Sequence, residues 1–305
     1  MVLVVENKIL LLYHNNDKIY EKYLNNNFQN CNKKYISEKI NPFEIENLAK
    51  EINSTYSKVV FLDYSNQFYQ LLPLIKKKTK KFYIITSGIS SFAFPYIFNN
   101  FSSIIEYYNR GLIDKIYSTN YETANTFDNI NYLCLNYTSN EISPKKDYVV
   151  GIIDKDYDET VNFYNQISAV CLTRINTIYT TSINSVTKDF CKRFNIIAEK
   201  KSHDEIMNKP CVNIYVKFTN INSLYFINSM NNGIPCILGN TSLLDNNKFL
   251  KNTLVLKSDD DVNEIAEKIE YCINNKNKIL NEYKNWYEEY TKKSMKCINE
   301  IIRST

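Results

Sequence analysis

The sequence predicts an α/β protein built from two Rossmann-like domains, and three observations support this fold class. Short apolar runs alternate with helical stretches along the chain, as in parallel sheets covered by helices on both faces. The length of 305 residues suits two domains of roughly 150 residues each. A polar stretch at residues 137–146, YTSNEISPKK, contains a proline and lacks apolar periodicity, so it is typical of an interdomain linker.

Composition favours a folded protein of a reducing compartment. The chain is 44% hydrophobic and 23% charged, which is typical of globular proteins. Its eight cysteines are scattered without a CxxC pair, so they predict buried free thiols rather than a zinc site or a disulfide framework. Residues 1–13 are apolar but too short to span a bilayer, and they include Glu6 and Lys8. We therefore interpret them as the first strand of a cytoplasmic protein.

In the first half, strands are predicted at residues 8–13, 58–62, 81–86, 115–118 and 130–135, and helices at 18–27, 42–52, 66–77, 94–110 and 121–127. In such a sheet, ligands bind at the carboxyl ends of the strands. The residues that follow these strands are therefore candidate ligand-binding residues of the first half, namely Asn15, Ser87, Gly88 and Ser118.

Histidine occurs at two positions only, 14 and 203. His14 follows the first predicted strand, so it is the candidate for general acid or base chemistry in the predicted cleft. His203 stands at a predicted helix start, where a solvated side chain is the commoner outcome. No Ser/His/Asp set, P-loop or G-x-G-x-x-G sequence is present, so hydrolase, kinase and dehydrogenase activities have no support.

In the second half, strands are predicted at residues 148–153, 169–172, 177–179, 196–197, 212–216 and 234–238. Helices are predicted at 159–167, 186–194, 204–207, 224–231, 262–274 and 278–302. The stretch 212–244, VNIYVKFTNINSLYFINSMNNGIPCILGNTSLL, has the order strand, polar loop, helix, glycine turn and strand. This is the βαβ unit in which open sheets bind phosphates and nucleotides at a helix amino end.

That stretch resembles the donor-sugar half of retaining glycosyltransferases with two Rossmann-like domains (GT-B type), and in particular glycosyltransferase family 4. The resemblance rests on Gly233-Ile234-Pro235-Cys236-Ile237 and on Ser229-Met230 before it. The family has two glutamates eight residues apart upstream of this turn, and the register places Asn220 and Asn228 there. The family's Gly-Arg pair after the first strand of the domain corresponds to Gly151-Ile152, with Lys155 as the nearby cation.

The resemblance implies two domains that face each other across a cleft, at residues 1–140 for the acceptor and 146–285 for the nucleotide sugar. It also implies a final helix, 286–305, that crosses back to the first domain. Asn220 would lie near the reacting sugar, and Asn228 would hold the ribose hydroxyls. Asparagine keeps a carbonyl acceptor but supplies no charge to a cationic transition state. The other predicted donor contacts are Gly151, Lys155, Lys217, Ser223, Ser229 and Gly233.

Two further sequence features have competing interpretations. Asp154-Lys155-Asp156 has the spacing with which other glycosyltransferases hold a divalent cation. A polar loop is nevertheless the preferred interpretation of these residues, and no metal is expected. Five of the six residues from Lys76 to Lys81 are lysines. This run is typical of a solvated helix end, although it would also suit weak contact with an anionic membrane surface or with nucleic acid.

The resemblance implies a metal-independent hexosyltransferase that uses a UDP- or GDP-linked sugar and needs no cofactor. Its acceptor side would lie at Asn15, Ser87, Gly88 and Ser118. The acceptor would be a glycan, a lipid-linked saccharide or another molecule, and the protein would be cytoplasmic, with peripheral contact at the inner membrane face as an option. Because both family glutamates are replaced, a catalytically inactive binding subunit is the first alternative. A nucleic-acid base glycosyltransferase of a phage or virus is the second.

Overall fold

Two parallel sheets carry the fold in the computed structural model of this protein, which describes residues 8–13, 25–37, 39–62, 66–75, 80–86, 95–134, 148–153, 163–216 and 223–303. The chain divides into two units. The first comprises Met1–Cys134 with Ser294–Thr305, and the second comprises Leu135–Lys293. The predicted α/β class with two Rossmann-like halves is confirmed.

The sheet of the first unit has the strand order β2-β1-β3-β4-β5-β6, and every neighbouring pair is parallel. Its strands are β1 (Ile9–Tyr13), β2 (Asn32–Tyr35), β3 (Lys58–Leu62), β4 (Lys81–Thr86), β5 (Lys115–Ser118) and β6 (Ile130–Tyr132). The central strands are apolar and buried on both faces, whereas the edge strand β2 has the sequence NKKY and is largely exposed. Charged side chains on an edge strand disfavour pairing with other chains.

Helices of the first unit cover this sheet. They are α1 (Pro42–Thr55), α2 (Asn66–Leu71), α3 (Pro95–Asn109) and α4 (Tyr121–Thr126). The start of α1 is set by its sequence, because Asn41 and Glu44 form a reciprocal capping box and Pro42 occupies the first turn. The buried face of α1 packs into the same apolar core as Val59, Phe61 and Phe82.

The sheet of the second unit has the order β11-β10-β7-β8-β9, again entirely parallel. Its strands are β7 (Val149–Ile152), β8 (Thr177–Thr180), β9 (Ile197–Lys200), β10 (Val212–Tyr215) and β11 (Cys236–Leu238). Its helices are α5 (Phe163–Cys171), α6 (Ser185–Arg193), α7 (His203–Asn208), α8 (Ser223–Asn231), α9 (Lys248–Leu254) and α10 (Val262–Asn274).

The last helix, α11 (Lys276–Arg303), contributes to both units. Its segment within the second unit is held by aromatic packing, since Trp286 lies 5.9 Å from Phe226 of α8 and 4.7 Å from Tyr290, measured between ring centroids. Its residues from Ser294 onward group with the first unit, where the Ser294 hydroxyl donates to the Cys134 carbonyl over 2.7 Å.

Within the described ranges most of the predicted elements are present, with three main differences, whereas most of the predicted helix 18–27 lies outside those ranges. Strand β2 was not predicted, because its lysines hide the apolar signal of a strand. Helix α9 was not predicted either. The predicted strand at residues 169–172 is wrong, since residues 169–171 form the end of α5. A short apolar run fits a buried strand and a buried helix end equally well.

All eight cysteines are free, as predicted. Six are buried, and Cys171 and Cys297 are half-buried. Burial raises the pKa of the Cys191 thiol to about 11, so this side chain is uncharged at neutral pH and behaves as a small apolar group.

Candidate functional site

The strand order of the second unit predicts a ligand crevice at the carboxyl ends of β7 and β10. These neighbouring strands start crossovers that run in opposite directions, β7 to β8 and β10 to β11. Because parallel crossovers are right-handed, α5 and α8 cover opposite faces of the sheet. The strand order therefore predicts a crevice between them at the strand ends, which is where open α/β sheets bind ligands.

Helix α8 begins at this crevice. Its first residue, Ser223, is 2% exposed, and its hydroxyl has no hydrogen-bond partner among the described residues. The first backbone N–H groups of a helix have no partner within the helix and carry partial positive charge, so they attract anions. A phosphate bound there would also accept a hydrogen bond from the Ser223 hydroxyl. The role of Ser223 in donor binding stays a prediction, and the position of its hydroxyl at the start of α8 suits that role.

The other end of α8 is closed by the glycine turn that the sequence predicts. Gly233 has a φ of +74°, a backbone conformation that glycine adopts without a steric penalty. Its N–H donates to the Met230 carbonyl over 3.0 Å, and the Ile234 N–H donates to the Ser229 carbonyl over 3.0 Å. Gly233 thus ends the helix and directs the chain into β11, at the opposite end of α8 from Ser223.

A buried amide on β10 anchors the carboxyl-terminal part of α8. Asn213 is fully buried, and its Nδ2 donates to the Ser229 hydroxyl over 2.9 Å and to the Ile206 carbonyl over 3.2 Å. The Ser229 hydroxyl in turn donates to the Ile234 carbonyl over 2.9 Å. Ser229, predicted as a donor contact, therefore links the strand, the helix and the glycine turn.

Asn228 belongs to a second pair of buried amides. It is 3% exposed, and its Oδ1 accepts a hydrogen bond of 3.0 Å from Nδ2 of Asn232. The same Nδ2 donates to the Met207 carbonyl over 3.0 Å. The carbonyl oxygen of Asn228, which the family resemblance assigns to ribose binding, is thus engaged inside the protein. We call Asn213, Asn228, Ser229 and Asn232 the amide cluster.

Gly151 lies inside β7, directly opposite Asn213 in the sheet register. A Cβ atom added there would stand 2.0 Å from Asn213 Oδ1 and 2.9 Å from Cγ of Pro210. The described contacts of Gly151 are therefore packing contacts, and the glycine makes room for the amide cluster. Its predicted contact with the donor stays a prediction.

Of the remaining predicted site residues, only Ser118 belongs to the described residues. The structure places Ser118 at the end of β5, where it is buried and its hydroxyl accepts a hydrogen bond from the Asn120 N–H over 3.1 Å. Asn120 in turn caps α4, so Ser118 shapes the strand-to-helix turn. The other predicted site residues lie outside the described residues, namely His14, Asn15, Ser87, Gly88, Lys155, Lys217 and Asn220. Asp154, Asp156 and positions 76–79 of the lysine run also lie outside them.

Sequence reasoning missed Asn213, Asn232 and Gln166, a third buried amide close to the crevice. A weak signal existed for Asn213, which is the one polar residue in the apolar run VNIYV. A lone amide in a strand buried on both faces must find partners. For Gln166 the helical pattern alone gave no signal, because a polar residue in an amphipathic stretch is expected to face solvent.

Within the described ranges, no group of three or more His, Cys, Asp or Glu side chains is arranged to hold a metal ion. No helix in this part of the chain combines the length and the apolar character needed to cross a bilayer.

Comparison with solved structures shows that the chain shares a fold with known glycosyltransferases. Anabaena Alr3699/HepE, solved in complex with UDP and glucose, matches with a TM-score of 0.68 at 10% identity, over 97% of this chain and 98% of that chain. A glycosyltransferase from Rickettsia africae matches with a TM-score of 0.65 at 12% identity, over 98% and 100% of the two chains. UDP-GlcNAc 2-epimerase from Methanocaldococcus jannaschii matches with a TM-score of 0.50 at 11% identity, over 86% and 91%.

No protein-family model matches the sequence, and no curated protein matches it. The chain thus has the two-domain GT-B fold, while family 4 membership stays a prediction.

Proposed function

We propose that the protein is a glycosyltransferase that moves a hexose from a nucleotide diphosphate sugar to a glycan or lipid-linked acceptor. The observation that carries this proposal is the start of α8 at the crevice between β7 and β10, with the buried Ser223 hydroxyl available there. Helix N–H groups and a hydroxyl are suited to a leaving diphosphate, whose charge grows in the transition state. The shared fold with HepE, whose structure contains UDP, supports the same assignment.

The proposed reaction relies on binding and on stabilisation of charge. Positioning of the two substrates and stabilisation of the departing diphosphate would supply most of the rate enhancement. Lys155 and Lys217 are the proposed cationic partners of the diphosphate, and His14 is the proposed acid or base on the acceptor side. We propose retention of configuration and independence from metal ions, in line with the family resemblance.

The first experiment is a thermal-shift and calorimetric screen against UDP, GDP, CDP and their glucose or mannose conjugates, with Mn²⁺ or with EDTA. A ligand present at 100 times its dissociation constant stabilises the native state by about 2.7 kcal/mol, which is readily measured. We expect one nucleotide family to bind equally well with Mn²⁺ and with EDTA. Binding that requires Mn²⁺ would refute metal independence, and no binding at all would refute the transferase proposal.

A second candidate function is a catalytically inactive subunit that binds a nucleotide sugar or a partner protein. It is favoured by Asn228, whose carbonyl oxygen is already hydrogen-bonded to Asn232, and by the absence of a carboxylate at positions 220 and 228. Slow release of free glucose from UDP-glucose distinguishes the two functions, because an active transferase usually transfers to water at a low rate. Tight nucleotide binding without sugar release or transfer would favour the inactive subunit.

A further inference from the structure

Gln166 of α5 has a buried side-chain amide, and only one of its two polar atoms is hydrogen-bonded to a described residue. The side chain is 1% exposed, and its Nε2 donates to the Val216 carbonyl over 3.3 Å. Its Oε1 is buried and has no hydrogen-bond partner among the described residues. The orientation of the amide is fixed by chemistry, because a flipped amide would place two acceptor oxygens against each other.

The position of this amide connects the two strands that border the crevice. Gln166 lies on the helix that follows β7, and Val216 is the residue immediately after β10. At the same strand ends, the Ile153 N–H donates to the Ile214 carbonyl over 2.9 Å. The hydrogen bond from Gln166 therefore holds the carboxyl end of β10 from the face that α5 covers, whereas Ser223 lies on the face that α8 covers.

An unused acceptor at such a position requires a reason. Leaving a buried acceptor without a partner costs free energy, and native proteins retain few such groups. A residue that only braced Val216 would need a donor and no second polar atom. Buried oxygens without described partners also occur in the amide cluster, at Asn213 Oδ1 and Asn232 Oδ1. Gln166 Oε1 and Ser223 Oγ differ from these because they lie beside the edge where the strand order predicts a ligand.

We infer that Gln166 is a further donor-site residue, whose Oε1 accepts a hydrogen bond from a hydroxyl group of the nucleotide sugar. This inference rests on the function proposed above and adds a residue to it. An amide oxygen accepts and cannot donate, so a ribose or hexose hydroxyl suits it as a partner and an ionised phosphate oxygen does not. The phosphates are left to Ser223 and the amino end of α8, where donors are available.

A thermodynamic cycle between one side chain and one hydroxyl tests the inference. Wild-type protein and Gln166→Met are titrated calorimetrically with UDP, 2′-deoxy-UDP, 3′-deoxy-UDP and UDP-glucose. Methionine keeps the volume and length of glutamine and removes both polar atoms. We expect the substitution to weaken binding of the parent ligand by about five- to tenfold, the value of one buried hydrogen bond, and to have no effect on the ligand that lacks the relevant hydroxyl.

The ligand arms also identify the hydroxyl. Loss of the effect with 2′- or 3′-deoxy-UDP assigns Gln166 to the ribose. A penalty seen with UDP-glucose but not with UDP assigns it to the hexose. Equal weakening of all four ligands, or of none, overturns the inference while leaving the proposed function intact. If the screen selects GDP or CDP, the same four kinds of ligand are used with that base, and failure of the wild type to bind any nucleotide of the screen overturns both.

Asn165→Ala is the matched control, because this neighbouring amide donates to the Asp260 carbonyl over 3.3 Å and has no described contact at the crevice. We expect it to bind all four ligands as the wild type does. Should it reproduce the pattern of Gln166→Met, the effect would belong to α5 as a whole and the inference would fail.

A measurement on the wild type covers the case in which Gln166→Met does not fold. The chain has four glutamines, at positions 29, 67, 70 and 166, so ¹⁵N labelling of glutamine gives four side-chain amide signals. Gln→Asn substitutions at the other three positions assign Gln166 by elimination. We expect saturating UDP or UDP-glucose to shift the Gln166 signal, and an unchanged signal at saturation would overturn the inference.

Discussion

The two units bury polar side chains in different ways. In the second unit, the amide cluster joins β10, α8 and the glycine turn through neutral hydrogen bonds. In the first unit, Lys58 of β3 is 4% exposed and donates to the Ile301 carbonyl at the end of α11 over 2.6 Å. Neutral amides bond in the same way at any ordinary pH, whereas an ammonium group is held at a cost of desolvation that depends on pH.

The hydrogen bonds of the amide cluster near the proposed donor site therefore do not depend on pH. The contact between Lys58 and the last turn of α11 does depend on pH. Burial lowers the pKa of Lys58 to about 8, and the positive charges of Lys115 and Lys81 add to this effect, while Cys31 opposes it. Lys58 still finds favourable partners, since its Nζ also lies 5.2 Å from the centre of the Tyr83 ring.

The largest expected effect comes from overfilling the amide cluster with Gly151→Ala. The added methyl group would meet Asn213 Oδ1, Pro210 and Ile206 at distances of 3.0 Å or less. We expect a loss of about 3 kcal/mol in the free energy of unfolding, at the upper end of the usual cost of overpacking. Urea denaturation followed by circular dichroism measures this loss.

Gly111→Ala is the matched control in the first unit. Gly111 has a φ of +71° and nothing within 4 Å of an added Cβ, so its substitution introduces backbone strain without a clash. We expect it to cost about 1 kcal/mol. Equal costs for the two alanines would show that Gly151 has no special relation to Asn213.

A double-mutant cycle tests whether the cost of Gly151→Ala arises from contact with Asn213. Asn213→Ala removes the oxygen that an alanine at position 151 would meet, although it leaves the Ile206 carbonyl without a donor, at a cost of about 2 kcal/mol. We expect the double variant to be more stable than the sum of the single effects predicts, by about 1–2 kcal/mol. Urea unfolding of the four proteins measures this coupling, and strictly additive effects would contradict the packing interpretation of Gly151.

The next largest effect concerns pH and Lys58. Between pH 8 and 10.5 the folded protein binds fewer protons at this site than the unfolded chain, because the pKa is lowered on folding. The contribution of Lys58 to stability therefore rises as the pH increases through this window. We expect the stability difference between wild type and Lys58→Met to change by on the order of 1–2 kcal/mol in favour of the wild type.

Chemical denaturation at pH 7.5, 9 and 10.5 tests this expectation. Because tyrosines, cysteines and other lysines also titrate there, only the difference between wild type and variant is informative. Lys50→Met provides the control, since Lys50 is exposed on α1 and is not among the charges that shift the pKa of Lys58. A pH-independent difference for Lys58→Met would show that its ammonium group bears no desolvation cost.

The sequence predicts more of the fold than of the candidate site, because strands and turns depend on local sequence and the site depends on contacts between distant residues. Strands such as β3 and β4 are apolar runs of the right length, and the Asn232-Gly233 turn ends α8 through backbone geometry that few other residues adopt. Asn228 was assigned a role from its sequence register, but its hydrogen bonds depend on Asn232 and on Met207 of α7. Gln166 meets Val216, 50 residues away, a pairing that only the folded sheet creates.

The smallest expected effect is that of the exposed ion pair beside Lys58. Glu300 near the end of α11 lies 2.7 Å from Lys115 of β5, and the two side chains are 49% and 34% exposed. A solvated pair of this kind gains little, because water screens the charges and both side chains lose conformational freedom. Glu300→Gln should therefore cost at most about 0.5 kcal/mol, and this cost should vanish in about 1 M NaCl, where the screening length is about 3 Å.

The pH dependence of the stability difference between wild type and Lys58→Met should by contrast persist in about 1 M NaCl, because salt screens a buried ammonium group bound to the Ile301 and Ile302 carbonyls much less. Denaturation of the two variants at low and high salt makes the comparison. If high salt abolished both effects, the attachment of the chain end would be a surface interaction. The contrast between a buried, pH-dependent attachment in the first unit and a neutral amide cluster in the second would then be lost.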